Sequence, residues 1–419
     1  MRAGTFASVA FVRHGRAKAT VTLLLALLAF ALALTGCGDS DDATTASNKD
    51  PAPGSRYVDW PLFGRIPART HYLPARAKAL DPPLKQAWSV NTHALIEFPP
   101  AIHDGVAYVI NKYGNGKAVR LKDRKVLWEL KVRPSDKGEP NFVTAPVYYR
   151  GRVYGAFLTG HLAAGDAETG RRVWVRKFDT QFESSPLAID GMLYLGSNAT
   201  DLLALNAASG RVKWRFNAPG AIKASPSYHD GKVFAADYQS SMYALDAKTG
   251  KLSWRSNTSK VPPFGRGGFF SSPAIAFGNV YAARDDGTVY AFDEQTGKVR
   301  WSFDTGDYVY GSPAVAQVPG TPPTVYIGAE NGRFFALDAR TGKKRWHYDV
   351  GGPIPGTATV IGHTVYTSSF ETEETVGLDV HTHKPTFRIK ESGYTPMVSD
   401  GERLFLVGYY DLIGLEPRR

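Results

Sequence analysis

The chain is almost without cysteine: Cys37 is the single one among 419 residues. No disulfide can staple it, so an exported domain made from it has to be stable through packing and hydrogen bonding alone. Beyond the N-terminus no apolar run approaches the ~20 residues that a membrane-spanning helix needs. A dense block of Lys and Arg is missing too. The net charge of +11 falls to +7 once the four basic residues of the first 36 (Arg2, Arg13, Arg16 and Lys18) are set aside. The remaining basic residues mostly flank strand-like segments, a mildly basic surface that argues against a nucleic-acid partner.

What the N-terminus does have is the pattern of an export leader. A basic start precedes the apolar run Val21–Leu34, which is short for a membrane span and suited to a signal-peptide core. The run ends in Leu34-Thr35-Gly36-Cys37, which resembles the bacterial lipobox, in which the cysteine thiol is acylated and becomes the mature N-terminus. Residues 1–36 are therefore expected to be a signal peptide and Cys37 the lipidated residue, anchoring the protein to the outer side of the cytoplasmic membrane or, in a diderm cell, in the periplasm or outer membrane. Residues 37–55 carry Asp39, Asp41, Asp42, Pro51 and Pro53 and almost nothing apolar, the composition of a tether that cannot bury enough surface to fold. Residues 56–84 are expected to form an N-terminal extension packed on the main domain, 85–419.

That main domain is periodic, and the period reveals its architecture. Trp88, Trp128, Trp174, Trp214, Trp254, Trp301 and Trp346 recur at intervals of 40 to 47 residues, with Phe387 in the eighth place. A second series marks the start of an apolar strand: Pro100, Pro146, Pro186, Pro226, Pro273 and Pro313, then Ala358 and Pro396. Two series of eight marks predict eight repeats. Between a Pro mark and the next Trp come short apolar strands separated by Gly, Asp and Asn turns, the pattern of a four-stranded antiparallel meander. Repeated radially, this is a propeller blade. The last turn of the blade is the most regular: Asp166 to Gly170, Asn206 to Gly210, Asp246 to Gly250, Asp293 to Gly297 and Asp338 to Gly342, each with Trp four residues after the Gly. An Asp or Asn side chain bonds the backbone two residues on, and Gly accepts the left-handed conformation. The final repeat stops without its Trp strand, while the Trp88 strand has no blade before it. Pairing the two closes the ring and removes both edges.

The repeated Asp-Ala-x-Thr-Gly-x-x-x-Trp resembles the repeat of the pyrroloquinoline-quinone-like propeller family. The resemblance covers about Lys85 to Pro417, and Asp59 to Arg65 resembles a segment that precedes the first blade there. It implies an all-β, eight-bladed propeller of four-stranded blades. The first blade departs from the turn pattern at Lys122 to Lys125, and the seventh at His381-Thr-His383-Lys-Pro.

The same resemblance leaves two functions open. Quinone-dependent dehydrogenases of this family hold the quinone in the central funnel, with calcium on acid and amide ligands, and many have a disulfide between adjacent cysteines that this chain lacks. The propeller lipoprotein of the outer-membrane β-barrel assembly machine is a non-enzymatic scaffold of similar length. With little chain left outside the blades, the expectation is a non-enzymatic, monomeric envelope module that binds proteins or a ligand, without cofactor or metal. The alternative is a quinoprotein dehydrogenase binding quinone and calcium. Other chemistry is weak: His381-x-His383 reads as an eroded turn, Asp285-Asp286-Gly287 as a hairpin turn, Gly265 to Gly268 as no phosphate loop, and the repeated Ser185, Ser225, Ser272 and Ser312 as architecture, not nucleophiles. Four residues before each of the first seven strand-start marks, Ile96, Phe142, Phe182, Ile222, Phe269, Val309 and Ile354 read as core. The next position varies, and Glu97, Glu183, Lys223, Phe270 and Tyr310, with Arg266 from a long inter-blade connection, are the candidate binding residues.

Overall fold

The computed structural model describes residues 57–74, 80–131, 144–261, 267–391, 397–408 and 410–418. The leader, Cys37, the proposed tether, Phe142 and Arg266 lie outside these residues.

Each repeat folds as the spacing predicts. In the third blade Leu187–Ile189, Met192–Gly196, Asp201–Asn206 and Val212–Asn217 form a four-stranded antiparallel meander, and the described residues make eight such blades, the seventh extended by Tyr72–Leu73, which pairs in parallel with Thr359–Ile361. The first hairpin of a blade is tight because both turn residues take positive φ, as at Asp190 and Gly191 (50° and 74°), the twist that a two-residue hairpin requires. Between the third and fourth strands the register shifts by one residue just before the Trp, at Ala204/Leu205 in this blade and at the equivalent place in others. The bulge re-aims the strand where the indole must reach the next blade.

The indole packs there on glycine. A Cβ on Gly250 would come within 2.7 Å of the Trp214 ring, and Gly170, Gly210, Gly297 and Gly342 stand the same way against Trp128, Trp174, Trp254 and Trp301. Each indole N–H also donates to a carbonyl in that turn, Trp214 to Ala247 at 3.0 Å and Trp174 to Ala207 at 3.1 Å. The seventh-blade turn is not eroded in conformation. His383 takes the glycine place with φ 61°, its N–H bonds the Asp379 carbonyl at 2.8 Å, and its ring stacks on Trp346. A second belt joins the blades nearer the axis. The backbone N–H of Ser185 donates to Ser225 Oγ, that of Ser225 to Ser272 Oγ, and that of Ser272 to Ser312 Oγ, at 2.9 to 3.1 Å. The repeated serines are therefore buried cross-links.

The ring closes as expected, through antiparallel pairing of Leu84–Asn91 with Asp411–Pro417. The strand that carries Trp88 is eight residues long, and its polar ends, Lys85 and Asn91, continue the ladder. The last blade's first strand is Val398–Ser399.

Residues 57–73 follow no period, yet they touch every blade. Val58 bonds Asp400 of the eighth, Trp60 pairs with Ile102 of the first, and Tyr148 of the second donates to Pro61. Tyr228, Ile275, Val315 and Val360, of the fourth to seventh, donate to Pro67, Ala68, Thr70 and His71. Arg69 reaches the third through the Ser185 and Pro186 carbonyls. The first strands of neighbouring blades touch one another, so they line the axis, and this segment fills it with fully buried Trp60, Arg69, His71 and Leu73. It enters beside the Asp104-Gly105 hairpin, where Asp59 bonds His103 at 2.7 Å. Burial pulls the Arg69 guanidinium down to about 9, and burial with the Arg69 charge pulls His71 down to about 3. His71 is thus neutral at neutral pH while Arg69 keeps its proton, solvated by carbonyls of Phe63, Pro226, Ser185 and Pro186.

Candidate functional site

Strand direction alternates within a blade, so the inter-blade connections share one face with the loops between second and third strands. The axial segment enters from the other face. The candidate residues lie on the connection face. The positions read as core are buried: Ile96, Phe182, Ile222, Phe269, Val309 and Ile354 are each at most 2% exposed. The variable position beside them emerges, half-buried at Glu97, Glu183 and Lys223 and exposed at Phe270 and Tyr310.

A second rank of rim residues escapes the strand-start analysis. In each of five blades a residue of the loop after the second strand bonds the backbone two residues before the variable position. Lys112 donates to Leu95, Asn198 to Gln181, Tyr238 to Ala221, Asp285 to Gly268 and Glu330 to Tyr308, at 2.8 to 3.0 Å. This sets Lys112 beside Glu97, Asn198 beside Glu183, Tyr238 beside Lys223, Asp285 beside Phe270 and Glu330 beside Tyr310. A signal for them was present: Lys112, Asn198, Tyr238 and Asp285 each lie 12 residues after a Pro mark.

The two ranks meet in the third and fourth blades. Lys223 Nζ lies 3.0 Å from Glu183 Oε1 and 4.9 Å from the Tyr238 ring centroid. Asn198 Nδ2 donates to the same Glu183 oxygen at 2.8 Å, while Asn198 Oδ1 is buried without a hydrogen-bond partner. Gly268 lets Tyr238 lie against the backbone, since a Cβ there would come within 2.6 Å of the ring. Tyr238 then meets Phe270, and Phe270 meets Tyr310, edge to face with centroids 6.4 and 6.1 Å apart.

Burial shapes the acids of this rim. It lifts the Glu97 carboxyl to about 7, against the opposing charge of Lys112. Burial raises Asp285 and Glu330 as well, with Asp286 and Asp307 respectively adding like charge. Among the described residues no three of His, Cys, Asp and Glu gather into a metal site. His381 bonds the Pro319 carbonyl at 3.0 Å, and Asp286 pairs with buried Arg284.

Eight blades, a filled axis and one polar, aromatic rim define a PQQ-type propeller with its candidate site on the connection face. Residues 84–216, 158–267 and 201–415 match the family described as outer membrane protein assembly factor BamB. The chain belongs to this family of PQQ-like propellers. Curated relatives add a different activity. The dehydrogenase subunit of the quinone alcohol dehydrogenase of Komagataeibacter europaeus is 36% identical over 166 residues, 36% of this chain and 22% of that protein. The quinohemoprotein alcohol dehydrogenase of Comamonas testosteroni is 30% identical over 175 residues, 38% of this chain and 25% of that protein. The matches thus span about a quarter of these relatives. In structure, the Comamonas enzyme superimposes with a TM-score of 0.70 at 16% identity, covering 85% of this chain and 80% of its own. BamB from Moraxella catarrhalis gives 0.65 at 17% identity, covering 80% of this chain and 99% of its own.

These relatives correct one expectation from the sequence. A non-enzymatic scaffold does not account for similarity of 30 to 36% to quinone-linked alcohol dehydrogenases. The scarcity of chain outside the blades misled, because rim residues supplied by the blades themselves can furnish a site.

Proposed function

We propose that this chain is the propeller of an exported quinoprotein-type oxidoreductase, lipid-anchored through Cys37, whose connection face takes a quinone with calcium and oxidises an alcohol. The observation that carries the reading is the group Glu183, Asn198, Lys223 and Tyr238. Calcium takes about six to eight oxygen ligands, commonly carboxylate and amide oxygens. Glu183 and Asn198 place an acid and an amide side by side, and the orphaned Asn198 Oδ1 is a buried acceptor that wants a cation or a donor. Lys223 already pairs with the Glu183 carboxylate at 3.0 Å, so a bound cation would share that carboxylate with the ammonium or displace it. Glu183 and Asn198 would supply part of the coordination, and the quinone and water the rest.

Glu183 and Asn198 would hold the cation, and Lys223 would pair with an anionic substituent of the quinone. Tyr238 and Phe270 would supply it with aromatic contact. When bound, the quinone supplies the acceptor for a hydride equivalent from the alcohol carbon. The hydroxyl proton goes to Asp285. One of its oxygens accepts the Gly268 N–H at 2.8 Å, which leaves Oδ2 to take the proton. Burial raises this carboxyl and so makes it a stronger base than an ordinary aspartate.

Titration of the full chain with pyrroloquinoline quinone and calcium, followed by calorimetry and by dye-linked alcohol oxidation, tests the reading. One quinone is expected to bind per chain, about tenfold more weakly in Glu183→Gln and Asn198→Ala. Asp285→Asn should keep binding and lose turnover. Absence of saturable binding, or binding indifferent to both substitutions, overturns the proposal.

A further inference from the structure

Beyond the Glu183 cluster, the rim continues into a region of different chemistry. Phe270, Tyr308 and Tyr310 are among the exposed large apolar residues, at 37%, 56% and 41%. Their exposure is not scatter. Phe270 and Tyr310 are in contact, and Tyr308 and Tyr310 lie parallel, within 5°, with centroids 6.3 Å apart. Phe277 and Tyr410 are exposed as well, but Phe270, Tyr308 and Tyr310 are exposed as one contiguous group of rings.

Acids border these rings. Glu330 is held against Tyr308 by its backbone bond to the Tyr308 carbonyl, and Asp307 precedes Tyr308 in the chain. Glu330 and Asp307 both raise the Tyr310 hydroxyl pKa, after burial, so their charges lie within electrostatic reach of that ring. Neither forms an ion pair among the described residues. Asp307 spends one oxygen on the Tyr308 N–H at 2.8 Å. Glu330 Oε1 is buried with no hydrogen-bond partner, so this carboxylate is left open to a cationic partner.

Ring faces carry negative potential and attract cations, most strongly when carboxylates stand nearby. The neighbouring blades show this chemistry within the chain, where the Lys223 ammonium lies over Tyr238 and on Glu183. Among the described residues, the rings and acids at Phe270, Tyr308 and Tyr310 stand without such an ammonium. An alkylammonium group satisfies all of them, with methyl or methylene groups on the rings and positive charge toward the carboxylates. An anion would meet Glu330 and Asp307 unpaired, and a purely apolar ligand would bring no positive charge to these carboxylates.

We propose that Phe270, Tyr308 and Tyr310, with Glu330 and Asp307, form a binding site for the ammonium head of a small organic cation. This site does not depend on the redox reading, and its test needs no quinone. The full chain is titrated with choline and with its uncharged isostere 3,3-dimethylbutan-1-ol, by calorimetry and by saturation-transfer NMR. Saturable binding of choline is expected, tighter than the isostere by roughly tenfold. Glu330→Gln, and the pair Tyr308→Ala with Tyr310→Ala, should each weaken choline by a similar factor. Tyr310→Phe keeps the ring and should bind as the wild type does, which separates lost recognition from lost folding. Equal affinity for choline and the isostere, no saturation by choline, or unchanged affinity in Glu330→Gln overturns the assignment.

Discussion

Two glycines of the fourth blade separate local backbone strain from inter-blade packing. Gly231 and Gly250 have nearly the same left-handed φ, +73° and +71°. An alanine at either position pays the left-handed penalty of roughly 1–2 kcal/mol. At Gly231 the added methyl meets nothing within 4 Å, so that penalty is the whole cost. At Gly250 the methyl would lie 2.7 Å from two atoms of the Trp214 indole. That ring is held by its bond to Ala247 and cannot swing away freely. Overpacking of this kind adds about 1–3 kcal/mol. Gly231→Ala is therefore expected to cost ~1–2 kcal/mol and Gly250→Ala ~2–5 kcal/mol, read from urea midpoints with unchanged slope. In a Trp214→Ala background the excess at Gly250 should vanish, since its partner is gone. Equal costs for the two alanines, or an excess that survives removal of Trp214, would refute the idea that the indole-on-glycine contact locks neighbouring blades.

The His229–Glu294 pair, at 2.6 Å, raises the His229 pKa above 6.5, chiefly through the hydrogen bond to Glu294. Its contribution is then fully present below about pH 6.5 and lost as pH rises through the raised value, so the deficit of His229→Gln, up to ~1 kcal/mol for a half-exposed pair, should shrink in denaturation series toward alkaline pH; a constant deficit contradicts this. If Cys37 carries the anchor, Cys37→Ser should fail to incorporate labelled palmitate and leave the membrane fraction; wild-type labelling and fractionation of the variant would rule the anchor out.

Most of the architecture was legible in the sequence because a blade is local. Its hairpins pair residues a few positions apart, so turn chemistry and alternation at each repeat encode them directly. The Asp246-to-Gly250 turn, the Trp series and even the missing strand of the last repeat speak through spacing alone. The seventh blade shows the limit, since His383 holds the turn conformation without the glycine that announces it.

The sequence by itself therefore determined the number of blades, their strands, the closure of the ring and the rank of variable positions from Glu97 to Tyr310. Tertiary structure alone decided what those positions meet. Glu183, Asn198, Lys223 and Tyr238 come from two blades and converge because the ring curves. Phe270 of the fifth blade meets Tyr310 of the sixth for the same reason. The axial course of residues 57–73 was hidden most deeply. Arg69 bonds a carbonyl 157 residues away, and no period or local propensity encodes contacts of that span. They exist only once eight blades have enclosed an axis whose unpaired backbone groups need partners.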